Sequence, residues 1–159
     1  MGVQAITTGS GRIPPCSWSL LNPRDAHPEV DLTCYGAELE PITVLHAYSM
    51  GLFPMHVPSD TGEQELGWWS PDPRGILRLE NIRISRSLRK SMRTFSVTFD
   101  QAFERVMRGC WRINGEGNWI TEEFIDTYTH LHELGFTHSV EVWNRKGELV
   151  GGLYGIEIG

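Results

Sequence analysis

The chain of 159 residues has a formal charge of −6, a hydrophobic content of 40% and six tryptophans. That composition supports a packed core and argues against a disordered chain, and the charge as a whole argues against a nucleic-acid partner. Cys16, Cys34 and Cys110 form neither a disulfide framework nor a zinc motif, and the six histidines lack ligand spacing, so no metal is expected. The longest apolar runs are too short to span a bilayer, the first residues lack the layout of a secretory signal, and the three widely spaced cysteines fit a reducing cytoplasm.

Residues 1–40 are rich in Gly, Pro and Ser without a sustained period and predict loops. PITVLHAYSMG (41–51) predicts a short helix, with Pro41 in its first turn and Gly51 at its stop. LFPMHVPSDTGEQE then reads as a proline-punctuated connection. In GWWSPDPRG (67–75) a strand sends Trp68 and Trp69 to opposite faces, so one is expected buried and the other half-buried. Pro71 and Pro73 stiffen the corner that follows. The same corner could also serve as the wall of a binding cleft.

GILRL (75–79) predicts a strand, SRSLRKSMR (85–93) a helix capped by Ser85, and FSVTF (95–99) a strand. Asp100 is expected to cap a helix running to about Gly109. Thr121 opens EEFIDTYTHLHELG, with Glu122 and Glu123 favouring the first turn and Phe124, Tyr128, Leu131 and Leu134 as the buried stripe. HSVEVW (138–143) and ELVGGLYGIEI (148–158) read as strands joined by the hairpin turn NRKG. Glu141, in the middle of a strand, reads as structural. The sum is an α+β chain with a mainly antiparallel sheet.

The average charge conceals a local excess. Residues 74–93 carry seven of the fourteen basic residues against one acid, Glu80, so that window is +6 and the remainder −12. Arg86, Arg89, Lys90 and Arg93 fall on one helix face, with Leu88 and Met92 opposite and free to bury. Like charges at these spacings repel, and a polyanion relieves the repulsion while releasing counterions. The alternative is a solvated face paired with acids from elsewhere in the fold.

YSMGLFPM, WWSPDPRGIL, ISRSLRKSMR, VTFDQAFERVMRGC, GNWITEEFIDTYTHLHELGFTHSVEVW and ELVGGLYGI, in that order across roughly residues 42–158, resemble the leucyl/phenylalanyl-tRNA–protein transferases. The resemblance implies a small N-terminal domain, residues 1–72, packed on an acetyltransferase-like domain, residues 73–159, incomplete at its C-terminal side. It implies transfer of Leu or Phe from Leu-tRNA or Phe-tRNA to the N-terminal Arg or Lys of a protein, marking that protein for degradation. It also implies a monomer that needs no cofactor and touches no membrane. Trp119, Leu153 and Met55, the last where many members carry tryptophan, match the amino-acid pocket. Tyr48 and Tyr128 match positions near the acceptor peptide. Arg83, Arg86, Arg89, Lys90 and Arg93, opened by Arg74, match a tRNA-contacting cluster. The family's G-E-S-M-F and D-C-Q segments, the second holding its catalytic groups, lie beyond Gly159, so the reading without chemistry is a tRNA- or RNA-binding fragment.

Overall fold

The computed structural model describes residues 31–58, 64–111 and 119–159, with a two-residue ladder of β1 (Thr7–Thr8) and β2 (Gly11–Arg12). The elements that follow are β3 (Leu32–Tyr35), α1 (Pro41–Ser49), β4 (Phe53–Pro58), β5 (Gln64–Trp69), α2 (Arg86–Ser91), β6 (Ser96–Phe99), α3 (Phe103–Cys110), α4 (Glu122–Glu133), β7 (Thr137–Trp143) and β8 (Leu149–Ile156). They form an α+β fold with two three-stranded antiparallel sheets, ordered β3-β5-β4 and β6-β7-β8.

One core joins the two sheets. Val44, Leu45, Ala47 and Leu52, from α1 and the turn after it, meet Trp68 of β5, Phe103 and Met107 of α3, and Phe124, Ile125, Tyr128 and Leu131 of α4. α4 lies between α1 and β7, and α3 packs on α4, β7 and β8. Gly152 allows this close approach, because a Cβ there would stand 2.8 Å from Val106 Cγ2.

Several elements depart from the sequence expectation. β3 lies in the stretch expected to be loop; its partner β5 defines it, and four residues are too few to display a period. The proline-punctuated connection is largely strand β4, whose Pro54 and Pro58 are tolerated because β4 is the edge of its sheet. GILRL forms no strand. Ile76, Leu77 and Leu79 are 73–79% exposed, and the chain turns through a 3₁₀ segment at Leu79–Asn81. α2 begins after Ser85, whose Oγ accepts from the Leu88 N–H at 3.1 Å, as expected, but Leu88 and Met92 remain about half exposed. Leu134 is exposed at the C-cap of α4, and Ile125 and Thr127 complete the buried stripe instead.

Asp100 does not cap α3. It takes φ +57°, and its carboxylate accepts from the Ser139 N–H at 2.7 Å and from His138 Nδ1 at 2.8 Å. Glu141 serves the helix start. Its carboxylate accepts from the Ala102 N–H at 3.3 Å and from the Thr98 and Ser139 hydroxyls. Burial pushes the Glu141 carboxyl up, but the hydrogen bonds from Ser139, Thr98 and the backbone outweigh it and leave the group below the usual glutamate range. Asp100 is held low by the same balance, with His138 and Ser139 as donors. Two carboxyls depressed in the folded state stabilise it above their unfolded values, near pH 4, and that stability is lost as pH falls through the folded values. Replacing Glu141 with Gln turns one acceptor oxygen into an NH2 donor, so either the Thr98 hydroxyl or the Ala102 N–H and Ser139 hydroxyl lose their acceptor, and urea unfolding at neutral pH should show a loss of about 1–3 kcal/mol and a shallower acid dependence. Wild-type stability in that variant at neutral pH would refute this role.

Candidate functional site

Tyr48, near the end of α1, and Tyr128, in the middle of α4, meet hydroxyl to hydroxyl at 3.0 Å. Burial pushes both phenols above the usual tyrosine range, so both stay protonated and one donates to the other. Tyr128 continues into an aromatic chain. Its ring stacks on Phe124 with centroids 6.1 Å apart, and Tyr154 of β8 meets it edge-on at 6.1 Å. Trp119, just ahead of α4, meets Phe124 edge-on at 5.3 Å, and His56 of β4 does the same at 5.3 Å. Thr121 caps α4, accepting from the Phe124 N–H at 3.5 Å, and so fixes where Trp119 enters.

Strand alternation separates Met55 and Leu153, expected in the pocket, from these aromatic rings. On β4, His56 faces Phe124, so Met55 points to the opposite face, which it shares with Phe53 and Trp69. Trp68 is fully buried and donates from Nε1 to Gly36 O at 2.9 Å, whereas Trp69 is half-buried and donates to Met55 O at 3.3 Å. The expected division between the two tryptophans holds. On β8, Tyr154 faces the core, so Leu153 faces outward and is 69% exposed. It lines a recess of about 440 Å³ with Phe99, Val140 and His138. Phe99 and Val140 escaped the sequence reading, although the alternation of FSVTF and HSVEVW, taken from Glu141 inward, places them on this outer face.

The basic residues divide as well. Arg74 donates to Gly51 O at 2.5 Å, and its guanidinium lies 5.9 Å over the Phe53 ring, which ties the tract to the end of α1. Arg83, Arg86, Arg89, Lys90 and Arg93 are exposed. Among the described residues, the ion pairs of arginine with an acid join Arg78 to Glu80 and Arg108 to Glu104 and Glu122, so no carboxylate pairs with these five cations. No group of three or more metal-ligating side chains occurs among the described residues, and no described helix is long and apolar enough to cross a membrane.

Residues 76–159 match the family model for leucyl/phenylalanyl-tRNA protein transferase, and residues 37–72 match the model for the N-terminal domain of the same proteins. The chain belongs to the leucyl/phenylalanyl-tRNA protein transferase family. It is 48% identical over 132 residues to a leucyl/phenylalanyl-tRNA–protein transferase of Alcanivorax borkumensis, covering 80% of this chain and 53% of that protein. Proteins of the same name from Maridesulfovibrio salexigens and Stutzerimonas stutzeri are 43% and 45% identical. Those matches cover 87% and 92% of this chain, and 58% and 62% of the relatives. The chain thus spans between about half and three-fifths of the length of these relatives.

The Tyr48–Tyr128 contact joins α1 to α4, and a double-mutant cycle measures it. Tyr48→Phe and Tyr128→Phe should each cost about 1 kcal/mol, and the double variant less than their sum. Strict additivity in urea unfolding would mean that the hydroxyls do not interact.

Proposed function

We propose that this chain provides the tRNA-docking surface and pocket walls of an aminoacyltransferase. The reaction moves Leu or Phe from Leu-tRNA or Phe-tRNA to the N-terminal Arg or Lys of a protein and tags that protein for degradation. In this reading the chain acts in the cytoplasm as a monomer, with a small domain over residues 1–72 and part of an acetyltransferase-like domain over 73–159. Beyond family membership, the supporting observation is the exposed cationic face, which among the described residues has no carboxylate partner. Arginine forks match phosphate bidentately, and four of those five cations are arginine. Arg74 has its remaining N–H groups available for the same ligand.

The chemistry asks for little more than alignment. The donor ester is already activated, and an acceptor α-amine with a pKa of about 8 is partly free at neutral pH. Family position assigns Met55, Trp119 and Leu153 to the amino-acid pocket and Tyr48 and Tyr128 to the acceptor end; of the three pocket positions only Leu153 lines the apolar recess, which suits a leucine or phenylalanine side chain. A pocket of this kind separates side chains that differ by a methylene by roughly 1–3 kcal/mol. The second reading, binding of tRNA without transfer, needs only the exposed cationic face.

Filter binding of charged tRNA across a salt series tests the docking surface. Neutralising Arg86, Arg89, Lys90 and Arg93 to Gln should weaken binding at least tenfold and flatten the log–log salt slope by about 0.7–0.9 for each phosphate that the variant leaves without a cation. An unchanged slope contradicts the assignment. In the same reactions, an Arg-starting peptide reports transfer, and binding without product selects the second reading. Where transfer occurs, Met55→Trp should shift the ratio of Leu to Phe transferred, because methionine is softer and narrower than indole. An unchanged ratio removes Met55 from the pocket.

A further inference from the structure

Among the described residues, the cationic tract is tied to the rest of the protein at its two ends. Within residues 75–94 the hydrogen bonds and ion pairs stay inside that stretch, joining Arg78 to Glu80, Asn81 to Arg78, and Ser85 to the start of α2. Ile76, Leu77 and Leu79 are exposed and Leu88 and Met92 about half exposed, so apolar burial adds little hold. At the far end, Ser96 enters the sheet opposite Trp143 of β7. At the near end the tie is Arg74. Its Nη2 donates to Gly51 O at 2.5 Å, where the carbonyls ending α1 carry partial negative charge, and its guanidinium lies 5.9 Å over the Phe53 ring. The corner before it is fixed separately, because the Ser70 N–H donates to Asp31 O at 2.7 Å.

Arg74 stands between the tract and two residues assigned to the reaction. Phe53 shares a strand face with Met55, two residues and about 7 Å further along β4. Tyr48 is also near: burial pushes its phenol up, and the hydrogen bond with Tyr128 and the charge of Arg74 oppose that rise. We propose that Arg74 is a positioning residue for charged tRNA: by gripping the end of α1 and the Phe53 ring, it holds the phosphate-binding tract at a set distance from the Met55 wall. The inference rests on the tRNA reading above and adds how two sites act as one. Once phosphates dock on the tract, the aminoacyl end meets the pocket wall as an intramolecular event, whose effective concentration depends on how narrowly the spacing is fixed. A tract held only at β6 sweeps a wider volume, and the aminoacyl group then contributes little. Phosphate contacts are indifferent to that spacing. Arg74 therefore sets the preference for charged over uncharged tRNA, whereas Arg86, Arg89, Lys90 and Arg93 set the affinity for both.

Filter binding of Leu-tRNA, Phe-tRNA and the same tRNAs after deacylation tests this on the full chain. The wild type should bind the charged forms at least about tenfold more tightly. Arg74→Gln should bring that preference below about threefold while weakening the uncharged forms less than about fivefold, the share of one phosphate contact. Phe53→Leu keeps the arginine but removes the ring beneath it, and should lower the preference in the same direction. Arg74→Lys keeps a donor for Gly51 O and should retain an intermediate preference. Equal losses for charged and uncharged forms, an unchanged preference in both Arg74→Gln and Phe53→Leu, or a wild type without preference each overturn the inference and leave the docking surface standing. A wild type that binds neither form overturns the tRNA reading and this inference together.

Discussion

The structure depends on the burial of α4. This helix presents Phe124, Ile125, Thr127, Tyr128 and Leu131 to a core that also takes Val44, Leu45, Ala47 and Leu52 from the α1 region and Phe103 and Met107 from α3. Fully burying an apolar side chain of this size stabilises by about 1.5–3 kcal/mol, so the shared stripe outweighs the single Tyr48–Tyr128 hydrogen bond, whose net value is about 1 kcal/mol. The hydrogen bonds supply direction instead. Thr127 donates to Leu39 O at 2.7 Å, and Thr137 donates to Tyr128 O at 2.8 Å, so α4 is pinned to the chain before α1 on one side and to β7 on the other. Helix position thus fixes Trp119, Tyr128 and, through Tyr154, the strand that bears Leu153.

Polar groups inside β7 are the second constraint. Glu141 is buried, yet stays charged because hydroxyl and backbone donors surround it, and the start of α3 benefits from a carboxylate there. The arrangement links β6, β7 and α3 by specificity of geometry, whereas an apolar residue at 141 would leave those donors unpaired. Strand alternation then turns Val97, Phe99, Val140 and Val142 to the outer face.

Much of this was legible from local chemistry. The caps at Ser85 and Thr121, the stop at Gly51, the NRKG hairpin and the opposed tryptophans each follow from a residue and its immediate neighbours. What escaped depends on partners distant in sequence. β3 and β4 exist because β5 pairs with both, and the prolines of β4 are harmless only at an edge. Asp100 looked like a cap because a helix follows it, but Glu141, about forty residues on, reaches that helix first. Of the site, the basic helix was visible in the spacing of its cations, and Tyr48 and Tyr128 entered through family resemblance. Their direct contact, and the separation of Met55 and Leu153 onto outward strand faces, needed three dimensions.

The cationic helix stands outside this core, with its apolar underside half exposed, and among the described residues no acid pairs with Arg86, Arg89, Lys90 or Arg93. The central claim is that α1 and α4 belong to one cooperative unit, since the same core serves both. Native-state hydrogen exchange resolved by residue tests it most directly. Amides of α1 and of α4 should open with the same free energy and the same denaturant dependence. An α1 that exchanges through a cheaper opening, while α4 and β7 stay protected, would contradict the claim.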